Sequence, residues 1–217
     1  EFGTPIQAPL VFYFQDDQIA QTIDDQYMFG PRLMVAPVYQ PGQRSRKVYL
    51  PQGGWFDWHT KAYTFSSGEW IDVDAPIDRI PVFVRDGAVI PMLREAPQNT
   101  QNLAPRSLDL HVFEGDYWGE DDYSYLSEDD GLTFRALEGK SWATSFYLWA
   151  LHEGDTFLEA SVKGDGFEEW ARKEYEVIWH TSNGTGRITV PDQGRDFIIT
   201  RDARAEGISL SYEFKKG

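Results

Sequence analysis

The chain is predicted to be mainly β and built as two β-sandwich domains. Three observations carry this. Apolar and polar residues alternate with period two over several stretches, as at Ile208, Leu210, Tyr212 and Phe214 against Ser209, Ser211, Glu213 and Lys215. Turn chemistry recurs between the runs: Pro41-Gly42, Gly53-Gly54, Ser67-Gly68, Asp86-Gly87, Asp130-Gly131 and Asn183-Gly184. Helical periodicity is almost absent, with Phe167–Arg172 long enough for a turn or two.

The elements follow in chain order. A first strand is expected over Leu33–Tyr39, bracketed by Pro31 and Pro37, since proline belongs at a strand end or edge. Lys47–Leu50 and Trp55–Trp58 are the next apolar runs. Val82–Val84 and Val89–Ile90 flank Asp86-Gly87 and read as a hairpin. Residues 94–107 are polar, hold two prolines and lack periodicity, which marks a linker centred on 96–104. Leu108–Phe113 resumes the strand pattern. In Ser141–Leu151 the even positions Trp142, Phe146, Leu148 and Ala150 are apolar, and Tyr147 and Trp149 on the odd face suggest a strand covered on both sides. Leu158, Ala160 and Val162 alternate with Glu159, Ser161 and Lys163. Arg187–Val190 and the C-terminal alternation complete the set.

Composition narrows function. Lys and Arg number 20 against 35 Asp and Glu, a net charge of −15, which argues against a nucleic-acid binder because that needs a basic face. Eight Trp, eleven Tyr and fourteen Phe exclude a disordered acidic tail. Cysteine is absent, so thiol catalysis, disulfides and cysteine metal sites are excluded. No apolar run is long enough for a membrane helix. The chain opens on Glu1-Phe2-Gly3 without Met, so it is expected to be a piece of something larger.

The candidate chemical motifs fail one by one. Gly139-Lys140-Ser141 lacks the first glycine of a phosphate loop, and Gly139-x-Ser141-x-Ala143 lacks the second glycine of a nucleophile elbow. His59, His111, His152 and His180 show no metal-ligand spacing and read as structural histidines. Glu128-Asp129-Asp130-Gly131 invites a calcium reading, but aligned on Gly131 the EF-hand ligand positions fall on Leu126 and Leu137, so it reads as an acidic turn. Trp55, Trp58, Tyr117 and Trp118 have faces suited to sugar rings, against which core packing is the plainer reading. Glycoside hydrolysis needs two carboxylates, and with 35 available counting selects none.

Gln26-Tyr27-Met28-Phe29-Gly30-Pro31-Arg32-Leu33-Met34-Val35-Ala36-Pro37-Val38 closely resembles a run in glycoside hydrolase family 31, the α-glucosidase and α-xylosidase family. Arg46-Lys47-Val48-Tyr49-Leu50-Pro51 with Gly54-Trp55-Phe56-Asp57 resembles the family's next block. The stretch from Asp74-Ala75-Pro76 through Ile80-Pro81-Val82-Phe83-Val84-Arg85-Asp86-Gly87 resembles the one after it, and Glu128-Asp129-Asp130-Gly131 is similar to an acidic turn of the distal domain. The resemblance is strong over 3–91 and weaker but ordered over 105–217.

The resemblance implies a domain plan. Residues 1–26 would be the tail of a catalytic (β/α)8 barrel, its last strand region, with Gly3–Leu10 similar to that strand. Ala8 stands where the family usually has Arg. The apolar run Ile6, Leu10, Val11, Phe12, Tyr13 and Phe14 suits a strand buried on both faces of a parallel barrel. Residues 27–95 would be a proximal C-terminal β-domain, 96–104 a linker and 105–217 a distal β-sandwich. The family cleaves α-glycosides with retention, using an Asp nucleophile and an Asp acid/base in barrel motifs that no stretch of this chain matches. Trp55-Phe56-Asp57 is followed by Trp58-His59, and Gly164-Asp165-Gly166 lacks the rest of the second motif. No catalytic, cofactor-binding or metal residue is therefore expected here. The implied partners are the upstream barrel and, on the assembled enzyme, a carbohydrate substrate. A free-standing carbohydrate-binding module and a structural scaffold for subunit contact are the competing readings. Asn183-Gly184-Thr185 is a glycosylation sequon, usable only along a secretory route.

Overall fold

The computed structural model describes residues 3–96, 107–116, 123–128, 142–150, 154–163, 174–191 and 195–215. Two compact units result, one of Glu1–Gly87 with Phe113–Trp118, the other of Ala88–Val112 with Gly119–Gly217.

The first unit holds β1 (Gln7–Pro9), β2 (Tyr27–Phe29), β3 (Leu33–Val35), β4 (Ser45–Leu50), β5 (Gly53–Asp57), β6 (Tyr63–Ser66), β7 (Glu69–Asp74) and β8 (Val82–Arg85). Six of them form a sheet in the order β1-β2-β3-β8-β5-β6, and β4 pairs with β7 alone. Ala8, Met28, Met34 and Phe83 stand opposite one another across four strands, so their side chains share one face, and all four are buried. Met28, Met34 and Phe83 join Val48, Leu50 and Trp55 in the core.

Leu10–Phe12 is a 3₁₀ turn, and β1 runs antiparallel to β2. This corrects the expected barrel strand over the apolar run of residues 6–14. Pro9 ends the strand, because proline has no N–H to offer a ladder, and Leu10 O then accepts from Tyr13 N and Phe14 N. Leu10 is buried, whereas Ile6 and Phe12 are exposed.

The second unit holds β9 (Val89–Leu93), β10 (Ser107–Glu114, whose last two residues belong to the first unit), β11 (Tyr123–Glu128), β12 (Trp142–Ala150), β13 (Thr156–Lys163), β14 (Glu174–Thr181), β15 (Gly184–Pro191), β16 (Phe197–Asp202) and β17 (Ser209–Phe214). They build a four-stranded sheet, β15-β14-β10-β9, and a five-stranded sheet, β11-β12-β13-β16-β17. The two sheets form a sandwich whose core includes Leu110, Val177 and Trp179 from one side and Phe146, Leu158 and Ile199 from the other.

Further expectations meet the structure here. β8 and β9 do not pair with each other: β8 pairs with β3 and β5, and β9 with β10. Asp86-Gly87 is thus the point where the chain leaves the first unit, with Gly87 at φ 76. The segment expected as a linker, 96–104, is described only at residue 96, and the strands flanking it, β9 and β10, are paired antiparallel. In β12, Thr144, Phe146 and Leu148 are buried while Tyr147 and Trp149 are exposed, so that strand is covered on one side, not two. The Phe167–Arg172 stretch lies outside the described residues.

Candidate docking face of the first unit

The sequence candidates for chemistry that lie among the described residues make the following contacts. Trp55 is 1% exposed and donates its indole N–H to Pro51 O at 2.8 Å. A buried ring cannot stack on a sugar. Trp58 is covered by the Lys61 ammonium, 4.0 Å from its ring centroid. Half-burial lowers the pKa of that lysine, with the nearby Asp57 charge working in the opposite direction. Asp57 Oδ1 accepts from His59 N at 2.8 Å and Thr60 N at 2.7 Å, closing the β5–β6 loop. His59 Nε2 meets Ile80 O at 2.9 Å, while His111 and His180 bond to one another. Tyr117, Trp118, the Asp129–Gly131 turn, Gly139, Ser141 and His152 lie outside the described residues. Among the described residues, no group of three or more His, Asp or Glu side chains is arranged to hold a metal ion. No helix of the described residues is long and apolar enough to cross a membrane.

The blocks that carry the family resemblance act as clamps. Gln26 is buried; its Nε2 donates to Tyr49 O at 2.9 Å and its Oε1 accepts from Tyr49 N at 2.8 Å. The side-chain amide thereby pairs with β4 as a neighbouring strand would. Arg46 is ion-paired with Asp25 at 2.7 Å and donates to the carbonyls of Asp25 and Pro37 at 3.1 and 2.5 Å. Tyr49 Oη donates to Asp17 Oδ2 at 2.7 Å, and Asp17 Oδ1 accepts from Ile19 N and Ala20 N. Burial, reinforced by Asp17, raises the Tyr49 pKa far above its ordinary value.

One cluster was invisible in the sequence. Asp86, 4% exposed, accepts from Gly115 N at 2.6 Å and from Tyr63 Oη at 3.2 Å, and Tyr63 Oη accepts from Asp116 N at 3.2 Å. A Cβ on Gly115 would lie 2.2 Å from Tyr63 Cε2 and one on Gly54 2.6 Å from Asp86 Oδ2, so only glycine fits either place. The Asp-Gly dipeptide was the sole local hint.

One exposed patch of the first unit is apolar. On the sheet face opposite Met28 and Met34, Phe29 stands between Gln7 and Leu33, and Tyr27 between Pro9 and Val35. Phe29 is 46% exposed, and Tyr27, Leu33, Val35 and Val82 are half-buried. Further along the same face Phe56 and Val84 are fully buried, with Phe113 5.4 Å from Phe56. The β1 end of the face thus keeps apolar surface that the β5 end covers. Ile6, 72% exposed, precedes β1, and its carbonyl accepts from Gly30 N. An exposed aromatic ring beside an edge strand makes this face the candidate docking surface.

Residues 3–90 match the model of the glycosyl hydrolase family 31 C-terminal domain. The chain is 34% identical over 192 residues to an α-xylosidase of Saccharolobus solfataricus, covering 88% of this chain and 25% of that protein. It is 27% identical over 199 residues to α-glucosidase 2 of Bacillus thermoamyloliquefaciens, covering 92% of this chain and 24% of that one. Among solved structures, a GH31 dextranase of Flavobacterium johnsoniae complexed with isomaltotriose shares its fold with a TM-score of 0.80 at 21% identity, over 92% of this chain and 29% of that chain. The chain therefore spans about a quarter of the length of the curated relatives it matches.

Proposed function

The chain belongs to glycosyl hydrolase family 31, and from that premise we propose that it forms the C-terminal β-region of a retaining α-glycosidase and braces a catalytic barrel supplied by another part of the enzyme. The carboxylates that cleave the glycosidic bond belong, on this reading, to that barrel, and none of the residues described above performs the chemistry. The observation that carries the proposal is the half-exposed apolar face around Phe29, Tyr27 and Leu33 beside the edge strand β1. An enzyme part about three times longer than this chain is the occupant its family membership supplies. The substrate class is an α-glucoside or related α-glycoside, acted on by hydrolysis or transglycosylation.

The test is reconstitution. The chain alone should leave aryl α-glucosides and α-xylosides intact. Co-produced with an upstream family 31 barrel segment of the same enzyme, it should form a complex with α-glycosidase activity. Phe29→Asp should weaken that complex by roughly 100-fold or more, because burying an unpaired charge costs several kcal/mol. Turnover by the isolated chain would overturn the proposal. A soluble monomer with no affinity for the barrel but with affinity for polysaccharide would replace it with the free binding module.

A further inference from the structure

In the four-stranded sheet of the second unit, β10 lies beside β14. His111 Nδ1 on β10 is 3.0 Å from His180 Nε2 on β14. The ring centroids are 5.3 Å apart and the planes only 11° from parallel. That separation is the one two imidazoles show when nitrogen meets nitrogen head-on in nearly a common plane. The rings are therefore edge to edge, with the N–H of one aimed along the lone pair of the other. His180 is 3% exposed, and its Nδ1 lies 3.1 Å from Thr185 Oγ1 on β15. The head-on geometry leaves no room for a metal ion, which needs about 2.0 Å to each nitrogen.

Proton counting follows from this arrangement. The neutral pair holds one bridging proton. One added proton goes to an outer nitrogen and makes the bridge charge-assisted. A second would set N–H against N–H, and the bridge would be lost. The two rings cannot titrate independently.

Charged groups on the same face, among the described residues of this unit, are Asp109 on β10, Glu174 and Glu176 on β14, Arg187 on β15, and Arg94 just past β9. Arg94 contacts Asp109 at 2.9 Å, Glu174 at 3.1 Å and Glu176 at 3.4 Å, and Arg187 contacts Glu176 at 2.8 Å. These carboxylates are already matched by guanidinium groups. The β9 residue opposite His111 is the apolar Ile90.

We propose that His111 and His180 form a one-proton acid sensor: the sheet accepts a first proton with its bridge intact and loses the bridge on a second, so that acid loosens β10 from β14. The experiment follows the imidazole nitrogens of the full 217-residue chain by NMR over about pH 4 to 8, alongside its unfolding temperature. The pair should titrate in two steps separated by more than about one pH unit, with the unfolding temperature falling at the lower step. In His111→Phe, His180 should titrate in a single step, and the fall at the lower step should vanish. His111→Gln, which cannot titrate but can still hydrogen-bond, should also lack the fall and serves if the Phe variant does not fold. Histidines that titrate as two isolated groups, or an acid limb identical in all three chains, would overturn the proposal. The carboxylates of the face are common to the three chains and cancel in the comparison.

Discussion

The Tyr63 hydroxyl ties three segments by donating to Asp86 and accepting from the Asp116 amide. Its pKa is pushed up to about 12 from 10.0, first by burial and then by the Asp86 and Asp116 charges, against the opposing pull of the Asp116 amide. A phenol with a raised folded-state value keeps its proton longer folded than unfolded. Its contribution to stability is complete below pH 10 and is lost as pH rises from about 10 to about 12. Tyr63→Phe should therefore show a shallower alkaline decline in unfolding temperature than the parent chain. Thermal scans at intervals from about pH 9 to 12 measure it, and identical slopes would remove the role. Tyr49 and Lys61 shift as well but are the same in both chains. None of this was legible beforehand: Tyr63, Asp86 and Gly115 are scattered along the sequence and only the fold brings them together. Trp55 teaches the same lesson, since a tryptophan that fills a core and one that stacks on a sugar are written with the same letter.

At the scale of the strand, the alternating stretches were readable because a half-buried strand must alternate. β13 and β17 follow from Leu158-x-Ala160 and Leu210-x-Tyr212. β14 carried a usable signal too, in Tyr175, Val177 and Trp179. β1 and β2 have three residues each, too few for alternation to register, whereas β3 falls at the start of the strand expected over Leu33–Tyr39. The supposed β8–β9 hairpin shows the limit of turn chemistry: Asp86-Gly87 fixes a bend, while the partners on either side are set by distant strands. The clamp on β4 is equally non-local, because Gln26 acts on a residue 23 positions away. Gln26→Ala would leave the buried Tyr49 N–H and C=O without these partners. We expect a loss of about 2–4 kcal/mol, from roughly 1–2 kcal/mol for each stranded group. Denaturant unfolding of the variant is the check, and a loss below about 0.5 kcal/mol would show that β4 holds its place by other means.

Across the whole molecule, two cores imply two melting units. Gln26→Ala should lower the transition of the first unit and leave the second in place. Leu158→Ala, which empties a fully buried site of the sandwich, should lower the second by about 2–5 kcal/mol and spare the first. Calorimetry distinguishes this from one transition moved alike by both substitutions. The chain path gives the division a further consequence. β9 pairs with β10 in the second unit, yet Phe113–Trp118 is grouped with the first, with Gly115 seated against Asp86 and Tyr63. The chain passes between the two units more than once, after Gly87 and again after Val112. A recombination event that joined these 217 residues to foreign sequence at residue 95 would carry off an edge strand of one unit, and leave the Asp86 seat of the other without its glycine. Exchange at the gene level can then move the pair intact far more readily than either half, and a library of chimaeras should yield folded products mainly where both come from one parent.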